Sequence, residues 1–221
     1  ISGEIYSSNA TFNNASVYNE ETSGTMTITG TGNGDITYNG IANATGDIEG
    51  TWKNITATIQ SRDTFNATAT GDINLTADNN DIENIQNIDG AGYSNITLND
   101  GSSLNGTLKY GTNTINSNDS SDGSQTNNIN LTLGSSTTTI NADSGTSGTI
   151  TAGTGQLNIN YNISNNQYGN TLNIENFNQG RTQILLTNIT GTTFNTSNIS
   201  DVQITHGGVT DNISVGNAQS V

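Results

Sequence analysis

Apolar residues recur at every second position in short runs along this chain, and clusters of Gly, Asn, Ser and Asp separate the runs. Between Gly24 and Asn39, Met26, Ile28, Ile36 and Tyr38 alternate with Thr25, Thr27, Thr29, Asp35 and Thr37. This predicts two short strands around the turn Gly30-Thr31-Gly32-Asn33-Gly34. The same alternation returns at Ile55 to Ile59, Asp72 to Thr76 and Asn95 to Leu98. It appears again at Asn127 to Leu133, Gln156 to Ser164 and Thr171 to Ile174. Each run has one apolar side and one Thr/Asn side, the signature of a half-buried strand. No window carries the i, i+3, i+4, i+7 pattern with good helix formers that an amphipathic helix needs. The nearest, Asp81 to Ile88, spaces Ile82, Ile85 and Ile88 three apart. It reads as coil or a corner, with a short helical turn as the lesser alternative.

The fold class is therefore all-β, a β-solenoid or a β-sandwich built of many short strands with Gly/Asn/Ser/Asp turns. Short apolar runs, abundant Asn and Thr able to stack in ladders, and the repeated text Gly-Asp-Ile at Gly34, Gly46 and Gly71 favour the solenoid. The uneven spacing of those three copies establishes no period, and the longer runs after Asn127 favour a sandwich. A division into a short-strand β region at 1–126 and a longer-strand β region at 127–221 follows, unless the two form one continuous domain.

Composition sharpens this picture. Only 29% of the 221 residues are hydrophobic, against about 45–50% in ordinary globular chains, and the formal net charge is −15. Low hydrophobicity with high net charge is the usual mark of disorder. Here the charged fraction is only 10%, so the polarity comes from uncharged hydrogen-bonding residues, and a disordered chain has no reason to keep an alternating pattern. Four basic residues, Lys53, Arg62, Lys109 and Arg181, stand far apart in the sequence. No nucleic-acid partner is expected, because phosphates demand clustered Lys and Arg, and anionic membrane surfaces are excluded on the same ground. No apolar run approaches the roughly 18 residues of a membrane helix, so no membrane insertion is expected. The chain starts at Ile1, as expected of a mature product whose signal has been removed, or of a fragment. With no cysteine, the fold is not stapled by disulfides. The absence of proline removes slow isomerisation steps, but nothing in the sequence explains why it is total.

Catalytic chemistry has little material. His206, the single histidine, stands before Gly207-Gly208 with no Gly-x-Ser-x-Gly elbow, and reads as a strand-end residue rather than a general base. Carboxylate pairs for glycoside cleavage exist by residue type, but aromatic platforms for sugars are scarce, with one tryptophan, Trp52. The expectation is that the chain is not an enzyme. Calcium is the one metal whose oxygen ligands are plentiful. Asn118-Asp119-Ser120-Ser121-Asp122-Gly123 resembles the opening of an acidic calcium loop, so Asp119 and Asp122 are the candidate ligands, although Ile129 falls where a closing Glu belongs. Asp78-Asn79-Asn80-Asp81 and Asn99-Asp100-Gly101 are weaker versions. Sequons for N-glycosylation begin at Asn9, Asn14, Asn43, Asn54, Asn66, Asn74, Asn95, Asn105, Asn118, Asn130, Asn162, Asn188, Asn195, Asn198 and Asn212. Composition bias in a strand-rich surface protein is the competing explanation of their number.

Asp81 to Gly90, followed by Asn95-Ile96-Thr97-Leu98 and Gly101 to Leu108, resembles the repetitive β-strand proteins of microbial surfaces: S-layer proteins, large repetitive adhesins and autotransporter passenger domains. Leu172 to Gly180 is similar to the segment after the calcium repeats of secreted repeat proteins, where an aspartate commonly follows the glycine; here Arg181 follows. The resemblance implies a secreted, non-enzymatic structural protein at the cell surface, working as one copy among many, and assigns no functional residue. Self-association has its own physical motive. So small an apolar content stabilises a lone domain weakly, and open strand edges offer a route to more burial. Ile1 to Ile5, Val202 to Ile204 and Asn212 to Val215 are candidate edge strands. The expected function is a structural subunit of a self-assembling layer, filament or matrix, a homo-oligomer or polymer with cations offsetting its charge. An adhesin segment that binds glycans is the alternative.

Overall fold

Strands with one apolar and one Thr/Asn side must pair edge to edge and cover their apolar sides, and this chain does so by coiling. The computed structural model describes residues 9–12, 15–19, 26–32, 34–40, 45–60, 63–79, 81–87, 92–118, 126–143, 145–162, 171–176, 180–187, 193–198, 201–206 and 209–215. One sheet has twelve strands, in the order β1 (Asn9–Phe12), β3 (Met26–Thr31), β5 (Gly46–Trp52), β7 (Thr64–Ala69), β9 (Asp81–Asn87), β11 (Ser103–Leu108), β13 (Asn127–Leu133), β15 (Thr146–Thr151), β17 (Thr171–Glu175), β21 (Val209–Val215), β20 (Asp201–His206) and β19 (Thr193–Asn198). The other has nine: β2 (Ala15–Asn19), β4 (Ile36–Gly40), β6 (Ile55–Gln60), β8 (Ile73–Asp78), β10 (Tyr93–Asn99), β12 (Thr112–Asn118), β14 (Thr137–Asp143), β16 (Leu157–Asn162) and β18 (Thr182–Thr187). Successive strands alternate between the sheets and pair in parallel, so each coil adds one strand to each. The fold is an all-β parallel solenoid, and the described residues include no helix. Only the C-terminal end departs from this pattern, where β20 runs antiparallel to β21 and β19 antiparallel to β20.

In-register stacking turns the alternation of the sequence into columns. Ile96 lies between Leu75 and Ile115, and the column continues through Ile140 and Ile159. All five are buried and belong to one core cluster, which runs from Met26 to Ile174. Of the widest buried side chains, Trp52, Tyr38 and Phe65 fill the N-terminal coils and Tyr161 lies on β16. In the middle coils inward polar residues replace apolar ones and are satisfied by one another. Buried Asn113 donates to Thr138 Oγ1 at 3.2 Å and accepts from Asn87 Nδ2 at 3.2 Å. Asn87 Oδ1 in turn takes the backbone N–H groups of Lys109 and Tyr110. At another corner Asn127 accepts from the Ser102 N–H at 2.9 Å and donates to Ser117 Oγ and to the carbonyls of Leu98 and Asn118. These asparagines supply partners that the turning backbone would otherwise lack.

The two strands expected between Gly24 and Asn39 are present as β3 and β4. They lie in opposite sheets and do not pair with each other. The segment expected to be coil or a corner, Asp81 to Ile88, is instead strand β9, with Ile88 outside the described residues. Its spacing of three comes from a register shift: Ile82 pairs with Phe65 and Ile85 with Ala67, with one extra residue between them. A bulge of this kind returns the second isoleucine to the inner face, where both are buried. Across the 126/127 boundary β11 and β13 pair without interruption.

Candidate binding face and open edge

The central outward positions of the nine-stranded sheet are unusually uniform, whereas Gln60, Asp78, Tyr93 and Asp143 stand at the strand ends of the same face. Each strand from β4 to β16 turns two central residues outward. They are Thr37 and Asn39 on β4, Thr56 and Thr58 on β6, Asn74 and Thr76 on β8, and Asn95 and Thr97 on β10. The series continues with Thr114 and Asn116 on β12, Thr139 and Asn141 on β14, and Asn158 and Asn160 on β16. Every one is Thr or Asn. Register joins them into two straight columns, with no shift from β2 to β18. The asparagines brace each other: Asn141 Nδ2 donates to Asn116 Oδ1 at 2.8 Å, and Asn160 Nδ2 to Asn141 Oδ1 at 2.8 Å.

The series ends at β18, where Gln183 and Leu185 take the two outward places. Leu185 is 58% exposed at the end of a column of threonines and asparagines. A shallow open groove crosses this end, lined by Thr139, Asn158, Asn160, Gln183 and Leu185. β18 is the edge of its sheet, whereas β17 at the same level is covered by β21. Among the described residues the open C-terminal edge is thus Ile184-Leu185-Leu186, the densest apolar group of the sequence. Of the segments expected at edges, Val202 to Ile204 lies within β20, between β19 and β21, and Asn212 to Val215 pairs with β17. Ile1 to Ile5 lies outside the described residues.

The twelve-stranded sheet presents a different outer face. Its threonine column Thr31, Thr51, Thr68 is interrupted by Gln86 and resumes at Thr107, Thr132 and Thr151. Asp47, Glu49 and Glu175 stand on this face, and the bulge of β9 offsets its rows.

Asp119 and Asp122, the expected calcium ligands, lie outside the described residues. Among the described residues no group of three or more His, Cys, Asp or Glu side chains gathers. The weaker loops have a conformational explanation: Asn79 (φ 48°) and Asp100 (φ 44°) occupy left-handed corners after β8 and β10, which Asn and Asp tolerate best. Trp52 is buried, and its indole N–H donates to the Glu49 carbonyl at 3.0 Å, so it offers no platform to a sugar. Tyr93 and Tyr110 are the exposed aromatic rings among the described residues. Asp63 is buried beside β4 and accepts from Tyr38 Oη, Gly46 N and Gln60 N. Burial raises its pKa above the ordinary carboxylate value, although these three bonds favour the charged form.

Of the sequon asparagines, Asn66, Asn74, Asn95, Asn118, Asn130 and Asn162 are exposed, and Asn54 and Asn105 are half-buried. Most of these are engaged in ladder bonds. Asn54 donates to Asp35 Oδ1 at 2.8 Å and accepts from the Asp72 N–H at 2.8 Å, and Asn130 donates to Asn105 Oδ1 at 3.0 Å. Asn9 falls in β1, Asn195 and Asn198 in β19, and Asn212 in β21. Asn14, Asn43 and Asn188 lie outside the described residues. Compared with protein-family models, with curated proteins and with solved structures, the chain matches none.

Proposed function

We propose that this chain is a non-enzymatic structural segment of an extracellular cell-surface assembly, built as a stiff rod and joined to neighbouring copies by strand addition. The observation that carries this reading is the edge of β18, which no described strand covers, with exposed Leu185. Monomeric β proteins ordinarily blunt or cover such an edge. The opposite sheet runs three strands further at this end. A donated strand that extends β18 would therefore lie across from β21 and gain cover on one side, which favours an arm from a neighbour over a whole second coil. The net charge of −15 opposes close packing, and divalent cations such as calcium would relieve it.

Electron microscopy and small-angle scattering of the purified protein, with calcium and then with chelator, test the reading. Ordered fibres, sheets or oligomers that Leu185→Lys abolishes are expected. A monomer under both conditions would overturn it. Order that survives chelator would keep the subunit and remove the cation.

One observation favours the adhesin alternative: Tyr93 and Tyr110 are exposed on neighbouring coils, Tyr93 being the register partner of Thr112. Exposed rings of this kind can stack on sugars. Tyrosine fluorescence titrated with soluble glycans, with Tyr93→Ala and Tyr110→Ala as controls, separates this reading from the first.

A further inference from the structure

We propose that the outer face of the nine-stranded sheet binds ordered water, namely the surface of an ice crystal. The inference is independent of how copies associate. Its basis is the pair of columns from β4 to β16, in which every outward central position is Thr or Asn. Exposed strand positions ordinarily accept Ser, Lys, Glu, Asp or Gln as readily, and none of these occurs there. In a molecule of net charge −15, this face carries no charge and no aromatic ring in the two columns.

Geometry makes the face a lattice. Strands repeat at about 4.8 Å, and outward residues along a strand at about 6.7 Å, so seven strands give a two-dimensional array about 29 Å long. The register does not shift anywhere in it, whereas the other sheet is bulged at β9 and bears Asp47, Glu49 and Glu175. Such repeats are close to the oxygen repeats on faces of hexagonal ice. The array is also held still, because the ladder from Asn116 through Asn141 to Asn160 fixes the amides in one orientation. The hydroxyls of Thr56, Thr58, Thr76 and Thr97 make no side-chain hydrogen bond to another described residue, which leaves their donors and acceptors to solvent, with the methyl groups beside them.

The same features narrow the occupant. From β4 to β16 the two columns have no cationic group to attract an anion and no apolar residue to attract an apolar partner. Within the two columns there is no ring on which a sugar would stack; Tyr93 stands on the same face of β10 but outside them. A rigid lattice of small neutral donors and acceptors is complementary to another such lattice. Many weak contacts then add without further ordering cost, since the array is preorganised.

The test is ice-affinity partition of the fluorescently labelled full chain, together with thermal hysteresis and ice-recrystallisation assays. The wild type should enter the ice fraction and slow recrystallisation. Thr97→Lys, which places a charge in the middle of the array, should lose both properties while keeping its melting temperature by circular dichroism. Thr107→Lys, the same change on the twelve-stranded sheet, should keep both. Exclusion of the wild type from ice would overturn the proposal, as would equal loss in the two variants. Binding to an insoluble neutral polysaccharide with exclusion from ice would also overturn it and reassign the face.

Discussion

The Tyr38 hydroxyl donates a 2.7 Å hydrogen bond to Asp63 Oδ1 and so ties β4 to the turn that opens β7. The carboxylate also holds the Gly46 and Gln60 N–H groups, which places one titrating group at the junction of three coil segments.

The raised pKa of Asp63 gives the first prediction. The folded state binds this proton more tightly than the unfolded chain does. The contribution of Asp63 to stability is therefore greatest below the ordinary carboxylate value of 3.8 and declines as pH rises through the window up to the raised value. Chemical denaturation at a series of pH values should show Asp63→Asn lacking that decline. Parallel pH curves for variant and wild type would refute it.

Asn127 is buried and serves four partners around one corner. Asn127→Ala strands a backbone N–H and two carbonyls, and should cost about 2–3 kcal/mol. Asn74→Ala, on the exposed face, should change stability by less than about 0.5 kcal/mol. Urea melts of the two variants make the comparison.

Ile96 is enclosed between Leu75 and Ile115 in the core column. Truncation to Ala opens a cavity that the stacked neighbours cannot close without leaving register, at about 3 kcal/mol. An equilibrium melt that moves by less than a third of this would mean that the coils slide to fill the space.

Gly148 holds a φ of +123° on β15, and a Cβ there would run into the backbone oxygen of Ile129 on β13. Gly148→Ala should destabilise by at least about 2 kcal/mol, because the conformation and the close approach both exclude a side chain. Thermal melting reads the effect.

Glycan occupancy should be mutually exclusive at register neighbours. Asn105 and Asn130 are opposite each other, as are Asn74 and Asn95, and strands about 4.8 Å apart leave no room for two branched sugars side by side. Intact-mass spectrometry of protein from a glycosylating host should find each pair singly modified at most.

The alternation was enough to place strands, because column stacking demands the two-faced pattern at every coil. The period was not legible, since coil length varies. Register partners Ile55 and Ile73 are 18 residues apart, while Leu157 and Thr182 are 25 apart. The three Gly-Asp-Ile copies illustrate the difficulty. Those at Gly34 and Gly71 lead into β4 and β8 at one corner, two coils apart, whereas the copy at Gly46 opens β5 in the other sheet. Asp81 to Asn87 misled because a bulge mimics a spacing of three. The open edge had a signal in the run Ile184-Leu185-Leu186, which breaks alternation, but only topology reveals that nothing described covers it. The total absence of proline also gains an account: in an interior parallel strand each N–H is needed by a neighbour, and few positions can spare one.

The stack of coils also has a mechanical consequence. Strands pair with the coil before and the coil after, so load applied at the two ends is borne in series by successive ladders. The weakest ladder yields first and its neighbours hold. Each released coil of roughly 20 residues pays out about 60–70 Å of slack as it straightens. Pulled in this way the molecule lengthens in steps, a shock absorber whose travel is set by how many coils it has.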